Sequence, residues 1–88
     1  MGLGASNIWF SKGKIVQSTP VTPAAGTAVQ FEGLWVGVGG DVELKFLHDS
    51  SFRVLKNVAD GEMIIGAIKE VGNANTTATN IIGVRIEG

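Results

Sequence analysis

"VGVGGDVELKF", residues 36–46, decides how this chain is read. Glycines clustered ahead of an acid point to a phosphate-cradling loop, whereas apolar residues at every second position on both sides point to strands joined by a bend. A phosphate loop opens a helix, because the helix dipole and its free N–H groups do the binding. Here the last glycine leads into "VELKF", where Val42, Leu44 and Phe46 share one face, and "LWVGV" ahead of it places Val36 with Val38. A helix would need apolar residues three and four apart. The sixth position of G-x-G-x-x-G is Val42, and no Lys-Ser or Lys-Thr follows for a Walker motif. Gly39, Gly40 and Asp41 are therefore expected to form a hairpin turn, in which glycines supply positive φ.

Outward from this stretch the same rhythm continues. "HDSS" (residues 48–51) leads into a strand at "FRVLKNV" (52–58), and "ADG" leads into "EMIIGAIKEV" (62–71). The glycine and β-branched isoleucines of that last segment favour strand over helix. The small, polar "GNANTTATN" (72–80) is a loop, and "IIGVRIE" (81–87) closes the chain as a strand with Ile82, Val84 and Ile86 on one face and Arg85 on the other. Before Phe31 the composition changes. "STPVTPAAGTAVQ" (18–30) holds both prolines and reads as a linker, with "NIWF" (7–10) and "KIVQ" (14–17) ahead of it as a short hairpin around "SKG". The expected fold is all-β: a small antiparallel sandwich or barrel, jelly-roll-like, over residues 31–88, with an extended N-terminal arm and linker over 1–30.

Bulk properties narrow the function. A chain of 88 residues is one domain at most, and its core alone is marginal. With no cysteine and a single histidine, His48, neither disulfides nor thiolate metal sites supply the difference, which leaves oligomerisation as the stabiliser. Seven basic residues are scattered among eight acidic ones, so no basic stripe exists to dock on nucleic acid or an anionic membrane. No apolar run approaches a membrane span, and "MGLGASNIWF" lacks the basic start and long apolar stretch of a signal peptide. "GLGAS" (2–6) matches the myristoylation pattern, but so short a match in a glycine-rich start is the reading of chance.

No catalytic set emerges, and no cofactor or metal is expected. His48, Asp49 and Ser50 are neighbours on a turn, where side chains diverge, so a solvated turn histidine is the better reading. Asp41, Asp49 and Asp60 each stand at a turn, where an Asp caps local N–H groups in preference to binding calcium. "NTT" at Asn75 is a glycosylation sequon by composition and a loop by context. The large aromatics are more informative. Ile8, Trp9 and Phe10, beyond the linker, favour contact with a neighbouring subunit or partner, and Trp35 either caps the chain's own core or joins them. A second reading, a glycan-binding adsorption module, rests on Trp35 beside a glycine-rich turn, since sugars stack on exposed aromatics.

In order and spacing, three motifs resemble the small head spike base proteins of tailed phages and gene transfer agents. These are an aromatic followed by V-G-x-G-G-D-V at Trp35 to Val42, K-N-V-x-x-G at Lys56 to Gly61, and T-T-A-T-x-I at Thr76 to Ile81. The resemblance covers over half the chain, from Leu34 to Val84; everything before Phe31 differs from the family's usual N-terminus. It implies a non-enzymatic structural protein, a spike base or decoration protein on the capsid surface, made in the host cytoplasm. It also implies a symmetric homo-oligomer, trimer or pentamer, docked on capsid or other virion proteins and supporting a fibre. Closed symmetry would cover the edge strands that a small β domain leaves open.

Overall fold

A computed structural model describes residues 13–87. They form six strands: β1 (Lys14–Val21), β2 (Phe31–Val38), β3 (Gly40–Phe46), β4 (Arg53–Val58), β5 (Glu62–Val71) and β6 (Thr79–Glu87). All pair antiparallel in one curled sheet of order β1-β6-β2-β5-β3-β4. The first strand pairs with the last, the second with the fifth and the third with the fourth, the nesting produced when one long hairpin folds over on itself, as in a jelly roll. The expected all-β, jelly-roll-like class is the one observed.

The curl comes from β5. Its residues from Glu62 to Ile68 pair with β2, and those from Ile68 to Val71 pair with β3, so the strand passes from one neighbour to the other along its length. Inside the curl lie Leu34 and Val36 of β2, Val42 and Leu44 of β3, and Ile68 and Val71 of β5, all fully buried. Each such aliphatic side chain contributes about 1.5–3 kcal/mol by leaving water. β6 completes this core with Ile81, while Ile82, Val84 and Ile86 share the opposite, outer face, and Arg85 points away from them.

Two expectations need correction. Gly39 does stand between two strands, with Gly40 and Asp41 opening the second, but β2 and β3 are not neighbours, because β5 lies between them. The bend is a corner at which the chain crosses from one side of β5 to the other, and not a hairpin turn. The reason is long-range: β2 finds its partners in β5 and β6, and β3 finds its partners in β4 and β5. The second correction concerns residues 18–30. The strand that begins at Lys14 runs on through Ser18, Thr19 and Pro20 to Val21, and Pro20 is tolerated because β1 is an edge strand. The rest is not a free tether. Ala24 N–H donates to the Val71 carbonyl at 2.8 Å and Val29 N–H to the Lys69 carbonyl at 2.9 Å, which stitches the connection along β5 where β2 has ended. Ahead of Gly13, the hairpin partner read at residues 7–10 lies outside the described residues.

Candidate interaction surface

The three sequence motifs, far apart in the chain, meet at the β2–β3 corner. Asp41 is the junction. Its carboxylate accepts the Asn57 N–H at 3.1 Å and the Lys56 ammonium at 3.2 Å, its own N–H donates to Thr77 Oγ1 at 2.8 Å, and its carbonyl accepts from Thr77 N–H at 2.9 Å and Ala78 N–H at 3.1 Å. The Asn57 N–H, followed by Lys56, holds the Asp41 carboxyl below its ordinary range. Gly61 N–H donates to the Val36 carbonyl at 2.7 Å, and Asp60 accepts from Gly39 N–H. Gly39 is required by close approach, since a Cβ there would lie 2.9 Å from both the Ala59 carbonyl carbon and the Asp60 nitrogen. Asp41 thus holds backbone N–H groups through Oδ1 and its carbonyl and the Lys56 ammonium through Oδ2, so the motif residues build the corner.

A second lock lies beside it. Glu43 sits between two core residues of β3, and period two alone would send it to solvent, yet it is only 7% exposed. Residues 72–76 fold over it. Asn75 Nδ2 donates to its carboxyl at 2.9 Å, Glu43 N–H donates to Thr76 Oγ1 at 2.9 Å, and the Thr76 hydroxyl donates to the Gly72 carbonyl at 2.6 Å. The side-chain nitrogen of the sequon residue Asn75, itself exposed, is therefore engaged with Glu43. Sequence reasoning missed Glu43, and the available signal was a lone acid in an otherwise apolar-faced strand opposite a loop rich in hydrogen-bonding residues.

Of the three turn acids expected to cap local N–H groups, only Asp49 does so; Asp41 and Asp60 accept theirs from across the corner. Asp49 accepts Phe46 N–H at 3.0 Å within its own turn, and His48 beside it is exposed. Glu32 continues the ladder where β2 leaves β6, accepting the Ile86 N–H at 2.7 Å and Arg85 Nε at 3.3 Å. Charged pairs elsewhere on the sheet lie on β3 and its neighbours: Lys45 with Glu70 at 3.5 Å and over the Phe52 ring, and Lys56 with Asp41.

The outer face of β1, β6, β2 and β5 is different. Directly paired residues of an antiparallel sheet share a face. One row across it reads Pro20, Ile82, Trp35, Met63, and the next reads Ser18, Val84, Gly33, Ile65. Neither row carries a charge. Gly33 leaves a depression filled by the Val84 and Met63 side chains, and the Trp35 indole lies over Gly61. Trp35 is 40% exposed and Ile65 48%, and at the far end Ile15, paired with Ile86, is 53% exposed. Trp35 thus belongs to this outer surface and not to the core. Ile8, Trp9 and Phe10, the other expected interface residues, lie outside the described residues.

No protein-family profile and no curated protein matches the chain. A solved structure described as the capsid of a native GTA particle computed with C5 symmetry contains a chain of similar fold, with a TM-score of 0.73 and 24% identity over 82% of this chain and 84% of that one. At that identity the likeness is one of fold.

Proposed function

We propose that this chain is a non-enzymatic structural protein of a virion or virus-like particle, a spike base or decoration protein that assembles as a symmetric homo-oligomer on the capsid surface. The observation that carries the reading is the corner: three motifs matched in sequence order converge on Asp41, and the fold they build is shared with a chain from a GTA capsid. The outer face supports it, because a charge-free sheet surface with exposed Trp35 and Ile65 is built to be covered by protein. The paired neighbours of Trp35, Ile82 and Met63, are apolar, and the two rows offer a single side-chain hydroxyl, Ser18, where a sugar site needs several converging polar groups, which favours protein docking over the glycan reading.

Cosedimentation with purified capsids, together with light scattering of the free protein, tests the proposal. A discrete trimer or pentamer, or a protein that pellets with capsids, is expected. A strict monomer at high micromolar concentration that stays in the supernatant would reject it. Removing residues 1–17 is expected to leave a folded sheet, since β1 adds only half-buried Val21 to the core, while weakening assembly. Glycan-array binding lost on Trp35→Ala would favour the adsorption module.

A further inference from the structure

Two apolar surfaces lack partners within the described residues' core: the two charge-free rows around Trp35, and, in the sequence, Ile8, Trp9 and Phe10 ahead of β1. Both are expected interface residues, and chain geometry relates them. Lys14 pairs with Glu87 at one end of the β1–β6 ladder, whereas Trp35 stands in the row of Pro20 and Ile82. That row is about 20 Å further along β1, and Trp35 is two strand spacings, about 10 Å, across from it. Between Phe10 and Lys14 are only Ser11, Lys12 and Gly13. Trp9 is five residues from Lys14, at most about 18 Å of fully extended chain, which falls short of the roughly 22 Å that separates Lys14 from Trp35. The Trp35 end of the face stays out of its reach. Running outward instead, the residues ahead of Gly13 span up to about 40 Å, enough to cross onto an adjoining subunit.

We propose that the face around Trp35 receives Ile8, Trp9 and Phe10 of a neighbouring copy. This rests on the oligomeric reading above and assigns the two halves of its contact. The chemistry matches: "NIWF" carries no charge and meets a face with none, so no ion is stripped of water without a partner. Aromatic side chains on a flat apolar sheet give large buried area at low entropic cost. Each copy gives an arm at one end and takes one on its sheet, a contact that closes into a ring or runs on as a filament.

The chain has no cysteine, so two full-length variants, Ile8→Cys and Ile65→Cys, can be mixed and joined with a flexible bismaleimide. A linked two-chain product beyond that of either variant alone is expected. Its absence, or linkage confined within single chains when both substitutions share one chain, overturns the proposal. Trp35→Asp is expected to weaken self-association at least about tenfold with an unchanged circular dichroism spectrum; association as tight as in the parent overturns it as well. An oligomer that persists without cross-linking rejects the arm contact and leaves the capsid reading standing, whereas cross-linking without capsid binding keeps the arm contact and the oligomer and rejects only the docking on capsids.

Discussion

Substituting Glu43 probes how the loop over residues 72–76 is held. Glu43→Ala removes one buried methylene along with the carboxylate, about 0.8 kcal/mol for the methylene. It also removes the acceptor of the 2.9 Å bond from Asn75 Nδ2, a net contribution of about 1 kcal/mol. The expected loss is about 2 kcal/mol. Asn75→Ala removes less surface but leaves a buried carboxyl short of a donor, which costs about 1–3 kcal/mol. If the two side chains act as one clamp, the double variant loses less than the sum of the single variants, with a coupling of about 1–2 kcal/mol. Urea unfolding at neutral pH and fixed chain concentration reads all three values, since assembly adds a concentration term. Additivity within about 0.5 kcal/mol would refute the clamp. So would a Glu43→Ala protein as stable as the parent.

Three further outcomes are expected. Gly39→Ala forces a methyl to within 2.9 Å of the backbone at Ala59 and Asp60 and is expected to cost about 2 kcal/mol or more in urea unfolding, whereas a cost below about 0.5 kcal/mol would argue against a tight corner. Asn57 has φ 58°, so Asn57→Ala should destabilise by about 1 kcal/mol and Asn57→Gly by much less; the reverse ranking would contradict the left-handed backbone. Asp41 and Glu70 are held below their ordinary values of 3.8 and 4.5, the first chiefly by the Asn57 N–H and the second chiefly by the Gly26 N–H. The unfolded chain therefore takes up protons first on acidification. Their stabilisation is whole above about pH 4.5 and disappears as the pH falls through the lower folded values, so the urea midpoint should drop over that range and drop less in Asp41→Asn.

Local pattern was enough to find the strands. Period two at Leu34 to Val38 and Val42 to Phe46, and the β-branched residues of β5, mark segments whose side chains alternate across a sheet whatever they pair with. Pairing is another matter. A glycine bend between two strands looks alike whether the second strand folds back on the first or crosses over, and β5, more than twenty residues downstream of the corner, decides it. In "IIGV" both faces are apolar, so periodicity could not say that Ile81 enters the core while Ile82 lies outside. Glu43 was illegible for the same reason as the corner: what buries it arrives from residues about thirty positions away. The small residues around Pro20 and Pro23 signal extended backbone correctly, and only the stitching to β5 shows that it is anchored.

The nested pairing has a kinetic consequence. Of the three nested pairs, only β3 with β4 joins strands that follow one another directly, and each pair outward encloses a longer segment, ending with Lys14 opposite Glu87. Loop closure grows costlier with the length enclosed, and topologies rich in such contacts fold slowly. The sheet should therefore zip from the β3–β4 hairpin outward, with β1 joining β6 last. Substitutions in β1 would then speed unfolding and leave the folding rate alone, whereas destabilised β3–β4 contacts would slow folding. The charge-free rows are finished only when that final strand docks, so a chain acquires its sticky surface after its core has formed.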